Sequence, residues 1–237
     1  RAYTSFFKIF NLSDSDDTIT LISALKSEDE KIDIGHAGTA MRFLTSYYSS
    51  IINSSKILTG SERMKQRPIS ILVDALKHIG AEIEYLESEG YPPIKLKGKL
   101  ITNNEVSLPA NVSSQYISSL MMLGISLEDG LKINLSTKIT SLPYIKMTKI
   151  LIERIGGEVV IKSDKINIKP FLAHDISDQT VESDWSSASY FYSLVALSDY
   201  SEITISTFFK KSIQGDSRIE NIYRKFGVET SFRDNKI

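Results

Sequence analysis

The sequence predicts an α/β fold of the α+β kind, built from one supersecondary unit repeated along the chain and divided into two lobes. Three observations carry this. Helical patterns end at a glycine and turn into a strand three times, as HIGAEIEYL, RIGGEVVIK and KFGVETSF. The glycines concerned, Gly80, Gly156 and Gly227, stand 76 and 71 residues apart. The elements around them also recur in the same order, as repeat architectures require.

Each glycine is preceded by apolar residues at positions −1, −4 and −5, which is one face of an α-helix. They are Ile79, Leu76 and Ala75; Ile155, Ile152 and Leu151; Phe226, Tyr223 and Ile222. The glycine supplies the left-handed residue that ends the helix. Alternating residues then give a hairpin, residues 82–86 turning through Gly90 to 94–97, and 158–162 turning at Ser163-Asp164 to 165–168. A second helical pattern precedes each unit, starting near Gly38-Thr39, Ser113-Ser114 and Ser186-Ser187. It leads into a short strand at 56–58, 131–135 or 202–205. Residues 170–179, PFLAHDISDQ, break the periodicity and are read as the linker between lobes 1–175 and 176–237.

Composition narrows the function. At 41% hydrophobic and 24% charged, the 237 residues carry enough apolar surface for a real core. Lys plus Arg (28) balances Asp plus Glu (29), which argues against a general nucleic-acid or anionic-membrane binder. Cysteine is absent, and the three histidines, His36, His78 and His174, are scattered, so no metal cluster is expected. No apolar run approaches the about 18 residues of a membrane span, and no signal peptide is visible. A cytoplasmic protein is expected.

Chemistry is expected at the helix starts. Ser113-Ser114-Gln115 precede an apolar run, where free N–H groups and hydroxyls suit an anion, while plain N-capping is the commoner use of Ser at such a place and spacing alone favours it. Gly35-His36-Ala37-Gly38-Thr39 enters another helix, and Gly38 permits a positive φ or a ligand close to the backbone. Arg63-Met64-Lys65-Gln66-Arg67 reads as a basic loop, either solvated or set for a small dianion. Arg42, one turn past Gly38, either serves the same anion or pairs with a carboxylate. Ser141-Leu142-Pro143-Tyr144 opens a further helix. Asp14, Asp16 and Asp17 are read as capping a helix over 18–25, with a metal role left open. His36 is read as a turn residue, His78 as exposed, and Trp185 as packed at the lobe junction.

Five blocks then resemble the 5-enolpyruvylshikimate-3-phosphate synthases of the enolpyruvyl transferase family. They are DSDD (14–17), GHAGTAMR (35–42), LTGSERMKQRP (58–68), VSSQYISSLMM (112–122) with SLPYIKMT (141–148), and ESDWSSASYF (182–191) with SIQGD (212–216). The resemblance runs over nearly the whole chain. It implies βαβαββ units in two lobes of an inside-out barrel, the second lobe incomplete, which close over the substrates. It implies transfer of the enolpyruvyl group of phosphoenolpyruvate to the 5-hydroxyl of shikimate 3-phosphate, with release of phosphate and no cofactor or metal. By the same resemblance Ser113, Ser114 and Gln115 hold shikimate 3-phosphate, with Ser141, Tyr144 and Arg1 assisting. Gly38, Arg63 and Gln115 contact phosphoenolpyruvate. Small-molecule partners and a monomeric full-length enzyme are implied, with no nucleic acid or membrane.

The sequence departs from the family at His36, where Asn is usual, at Phe43, where Pro is common, and at Trp185, where a small residue is found. The chain opens with Arg1 rather than Met and stops at Ile237 with its last hairpin unfinished. A fragment is therefore expected, inactive alone, with the acid/base carboxylates beyond residue 237. Two other readings stand beside this one. The related UDP-N-acetylglucosamine enolpyruvyl transferases typically use a reactive Cys loop, absent here. A non-catalytic binding module would keep the fold and an anion site.

Overall fold

The glycine-ended helices form where the periodicity places them. In the computed structural model, which describes residues 7–111, 113–171 and 176–237, Gly80, Gly156 and Gly227 have φ of 110°, 98° and 83°. All three occupy the left-handed region that L-residues avoid, so the shared glycine has a shared backbone cause. Arg1 and residues 172–175 of the linker segment, His174 among them, lie outside the described residues.

Strand β1 (Ile9–Phe10) is followed by α1 (Asp16–Lys26). Ser15 is the N-cap of α1, and Asp16 and Asp17 lie inside its first turn, where the helix dipole favours acids. This corrects the reading of the aspartates as caps of a helix over 18–25. Next come β2 (Lys31–Asp33), α2 (Gly38–Ser50), β3 (Ser55–Thr59), α3 (Glu62–Lys65), α4 (Ser70–His78), β4 (Glu82–Tyr85) and β5 (Ile94–Lys97). The second copy is β6 (Glu105–Leu108), α5 (Ser114–Gly124), β7 (Leu131–Leu135), α6 (Leu142–Arg154), β8 (Val159–Ile161) and β9 (Lys165–Ile168).

The copies match strand for strand. The sheets run β2-β3-β5-β4 and β6-β7-β9-β8, each with a parallel first pair and an antiparallel hairpin. The residue pattern alone did not find the leading strands β2 and β6. They lack the closing turn that marks the equally short hairpin strands β4, β5, β8 and β9.

The chain divides into two units. One spans Ser13–Ile176, and the other joins Phe7–Leu12 to Ser177–Ile237. The core of the first is apolar and continuous, with Leu44, Leu58, Leu76, Leu96, Leu120 and Ile133 almost wholly buried. α5 is the central helix, with eight of its residues buried against α2, α6 and the sheet. Within this unit the expected helix faces are buried at Ala75, Leu76, Ile79 and Ile152, while Leu151 is exposed.

In the second unit, β10 (Gln179–Thr180) pairs in parallel with β1. It is followed by α7 (Trp185–Ala196) and α8 (Ile219–Tyr223), with short 3₁₀ turns around α8. The strand expected at 202–205 is absent. A single bridge, Ser206 with Lys236, and the paired backbones of Ile205 and Ile237 stand in its place. Ile222 and Phe226, expected on a buried helix face, are 51% and 66% exposed. Trp185, expected at the lobe junction, is 1% exposed. It fills the core of the second unit with Ala188, Tyr192, Phe208 and Val228, and its indole N–H donates to Glu182.

Candidate functional site

Helix direction follows from the sheets. β8 and β7 are both antiparallel to β9, so they are parallel to one another, and β7 is parallel to β6. Helices α5 and α6 each return from one parallel strand to the next and therefore run side by side in one direction. By the same reasoning α2 and α4 share a direction. The start of α5 meets the start of α2, since Gln115 Nε2 donates to Thr39 Oγ1 at 3.0 Å. Further along, Ser119 Oγ donates to the Arg42 carbonyl at 2.8 Å and meets Ser46 Oγ at 2.6 Å. Two positive helix ends thus lie together, the arrangement that attracts small anions.

Adjacent serines set the spacing of three helices. Ser118 Oγ bonds Thr148 Oγ1 of α6 at 2.7 Å, while Ser119 turns to α2. All these hydroxyls are buried and paired, which keeps polar atoms inside the helix layer without a desolvation penalty. Thr148 Oγ1 also donates to the carbonyl of Tyr144, one turn nearer the start of α6. Tyr144 is half-buried, and burial pushes its hydroxyl pKa up.

The two helix starts differ in their capping. Ser113 Oγ accepts the Gln115 amide at 3.3 Å, so it is an N-cap in this structure. Ser114 and Gln115 are half-buried, and Ser113 is exposed. No side chain caps α2, whose N-cap is Ala37. Its first amides are therefore left for an acceptor from outside the helix. At the start of α6, Ser141 is the N-cap without a side-chain bond, and Pro143 lies in the first turn. Gly38 does not have a positive φ. That removes one of the two reasons for glycine and leaves close approach.

What approaches Gly38 is Arg67. A Cβ on Gly38 would lie 2.8 Å from both Cζ and Nη2 of Arg67. The segment expected as a basic loop is partly helical, since Ser61 caps α3 and accepts the Met64 amide at 3.3 Å. Ser61 Oγ also bonds His36 Nδ1 at 2.9 Å, which places His36 in the turn before α2 as read. Arg63 is exposed on α3. Arg42 is 4% exposed. Its Nη1 donates to the Gly38 carbonyl at 2.9 Å, its guanidinium lies over the Tyr116 ring, and its Nε has no partner. Tyr116 in turn donates to the Pro68 carbonyl at 2.7 Å. Burial first, then the Arg67 charge, pulls the Arg42 guanidinium below its ordinary pKa. Among the described residues neither Arg42 nor Arg67 forms an ion pair with a carboxylate.

The structure thus unites Gly38, Thr39, Arg42, Arg67 and Gln115. Of these, the sequence marks Arg42 as a candidate for the anion at Gly38, Thr39 only as part of the helix entry, and Arg67 only as one cation of a basic segment. The adjacent MR after AGTA was the available signal. Among the described residues no group of three His, Asp or Glu side chains is placed to hold a metal, and no helix is long and apolar enough to cross a membrane.

Comparison with known proteins agrees over nearly the full length. The family model described as EPSP synthase (3-phosphoshikimate 1-carboxyvinyltransferase) matches residues 8–237. A 3-phosphoshikimate 1-carboxyvinyltransferase from Bacteroides fragilis is 47% identical over 228 residues, covering 96% of this chain and 55% of the relative. One from Colwellia psychrerythraea is 38% identical over 207 residues, covering 86% and 48%. A solved EPSP synthase from Acinetobacter baumannii superposes with a TM-score of 0.70 at 18% identity, over 86% of this chain and 51% of that one, and shows the likeness of fold. The chain spans about half the length of the curated relatives it matches.

Proposed function

The chain belongs to the EPSP synthase family, and from that premise we propose that it carries part of the site at which the enolpyruvyl group of phosphoenolpyruvate passes to the 5-hydroxyl of shikimate 3-phosphate, with release of phosphate. The observation that carries the reading is the Gln115–Thr39 bond, which ties two positive helix ends into one place where two anions can lie side by side. Shikimate 3-phosphate is assigned to the α5 and α6 starts, on Ser113, Ser114 and Gln115, with Ser141, Tyr144 and Arg1 assisting. Phosphoenolpyruvate is assigned to the α2 start, against Gly38, with Arg63 and Gln115. Gln115 borders both substrates, so it orients one against the other as the new C–O bond forms. The helix ends and arginines hold negative charge in place, which is the term that such sites contribute most strongly.

In this reading residues 1–175, apart from the Phe7–Leu12 segment that pairs into the second unit, are the substrate-binding lobe, and 176–237 belong to a second lobe. The proton-transferring carboxylates are assigned to the part of the relatives' length that this chain does not span. The protein acts in the cytoplasm on small-molecule substrates, as a monomer at full length.

The test separates capping from phosphate binding at Ser113 and Ser114. Shikimate 3-phosphate is titrated into the chain and into the Ser113→Ala/Ser114→Ala variant, with melting followed in parallel. Loss of the cap costs about 1 kcal/mol of stability. Loss of charge-assisted phosphate bonds costs about 1.5–3 kcal/mol of binding each. A variant that melts early yet binds normally refutes the assignment. Release of phosphate from both substrates by the 237-residue chain alone would refute the placing of the carboxylates.

A further inference from the structure

Two guanidinium groups converge on one glycine. Arg42 reaches the Gly38 carbonyl from inside the unit, and Arg67 lies against the Gly38 Cα from the exposed side. Cations brought so close repel one another, and the repulsion grows as water is excluded. Protein sites ordinarily relieve it with a carboxylate, and among the described residues neither group has one. The amides at the start of α2 are uncapped, and the buried Nε of Arg42 has no partner. Every one of these groups is a donor or a positive charge, and together they call for a small, doubly charged anion with several acceptor oxygens.

We propose that Arg67 is a substrate-binding and specificity-determining residue of this site. It forms the outer jaw of a two-arginine clamp on the phosphate of phosphoenolpyruvate, with Arg42 as the inner, positioning cation. The proposal rests on the assignment of phosphoenolpyruvate to the α2 start and adds to it the residue that sets what fits there. Gly38 is glycine because the guanidinium of Arg67 occupies the space that a Cβ at this position would fill. A methyl at position 38 acts first on Arg67, the flexible end of an exposed side chain, and only through Arg67 on the anion. Arg67 therefore gives the clamp its fit, while Arg42, held by Gly38, Met64 and Tyr116, cannot shift to compensate.

The experiment is a double-mutant cycle on the chain with Gly38→Ala and Arg67→Gln. Phosphoenolpyruvate and inorganic phosphate are each titrated while the Gly38 and Thr39 amide resonances are followed. Shikimate 3-phosphate serves as the control ligand, and Arg67→Lys as the variant that keeps charge but loses the planar fork. Arg67→Gln is expected to weaken phosphoenolpyruvate about tenfold or more, which corresponds to about 1.4 kcal/mol. Shikimate 3-phosphate and the melting temperature should hold. Arg67→Lys should recover only part of the loss, and Gly38→Ala should add little once Arg67 is Gln. Unchanged phosphoenolpyruvate binding in Arg67→Gln, or fully additive losses in the double variant, would overturn the clamp while leaving the assignment of the site intact. A wild-type chain whose Gly38 and Thr39 amides respond to neither anion overturns both.

Discussion

Ser119→Val tests whether buried hydroxyls set the spacing of the helix starts. Ser119 is 1% exposed and Ser46 is 2% exposed, and their oxygens lie 2.6 Å apart between α2 and α5. Removing the Ser119 hydroxyl alone, as Ala, costs about 1 kcal/mol, the net worth of an intramolecular hydrogen bond. Ser46 loses little more, because it stands four residues after Arg42 and can turn to the carbonyl that Ser119 releases. Valine adds a second γ-carbon between two close-packed helices, and overpacking costs about 1–3 kcal/mol more. The expected loss is therefore about 2–4 kcal/mol for Val against about 1 for Ala. For a unit of this size the Val variant should melt about 4–16 °C lower. The assay is helical circular dichroism with tryptophan fluorescence recorded alongside. Trp185 is the single tryptophan and belongs to the other unit, so its transition serves as the internal control. A Val variant whose helical transition stays within that of Ala would refute the claim that these hydroxyls fix the separation of α2 and α5.

Glu182 accepts from the Trp185 indole, the Phe209 amide, Ser212 and Gln214, so Glu182→Ala should red-shift tryptophan emission and destabilise the second unit by about 3 kcal/mol. Burial alone would raise the Asp184 pKa, but bonds from the Ser187 hydroxyl and the Ser186 and Ser187 amides outweigh it and hold the carboxylate below its ordinary value. The stability it contributes is therefore full above the unfolded pKa and is lost as pH falls through the lower folded one, and melts of Asp184→Asn should show a shallower acid limb. Gly227→Ala meets no neighbour within 4 Å but requires φ of 83°, so it should cost about 1 kcal/mol by fluorescence melt, and Gly227→Asn less. Gly156→Ala carries the same strain and also meets the Phe171 ring at 2.9 Å, so its loss in the helical melt should be larger.

The amino-acid sequence by itself determined the repeat, its three left-handed glycines, the starts of α2, α5, α6 and α7, and the two hairpins. Those features rest on local rules: a helix face closes over four residues, a hairpin over a few more, and a glycine declares a φ that other residues avoid. The family was legible for the same reason, since its motifs are contiguous blocks. Other features waited for the tertiary structure. The strands β2 and β6 have no hairpin turn to mark them and exist because a parallel neighbour distant in sequence completes their hydrogen bonds. The strand expected at 202–205 had the residues but no partner strand beyond one bridge. Trp185 found its place in the core of its own unit, because burial of an indole is decided by what surrounds it. Which arginine lies on Gly38 could not be read from RMKQR, where Arg63 and Arg67 are equivalent cations on long side chains. The bonds from Gln115 to Thr39 and from Ser119 to Ser46 join residues 76 and 73 positions apart. No local pattern encodes such pairs, and they form only when packing of α2 against α5 brings two helix ends, each ordinary alone, into one electropositive place.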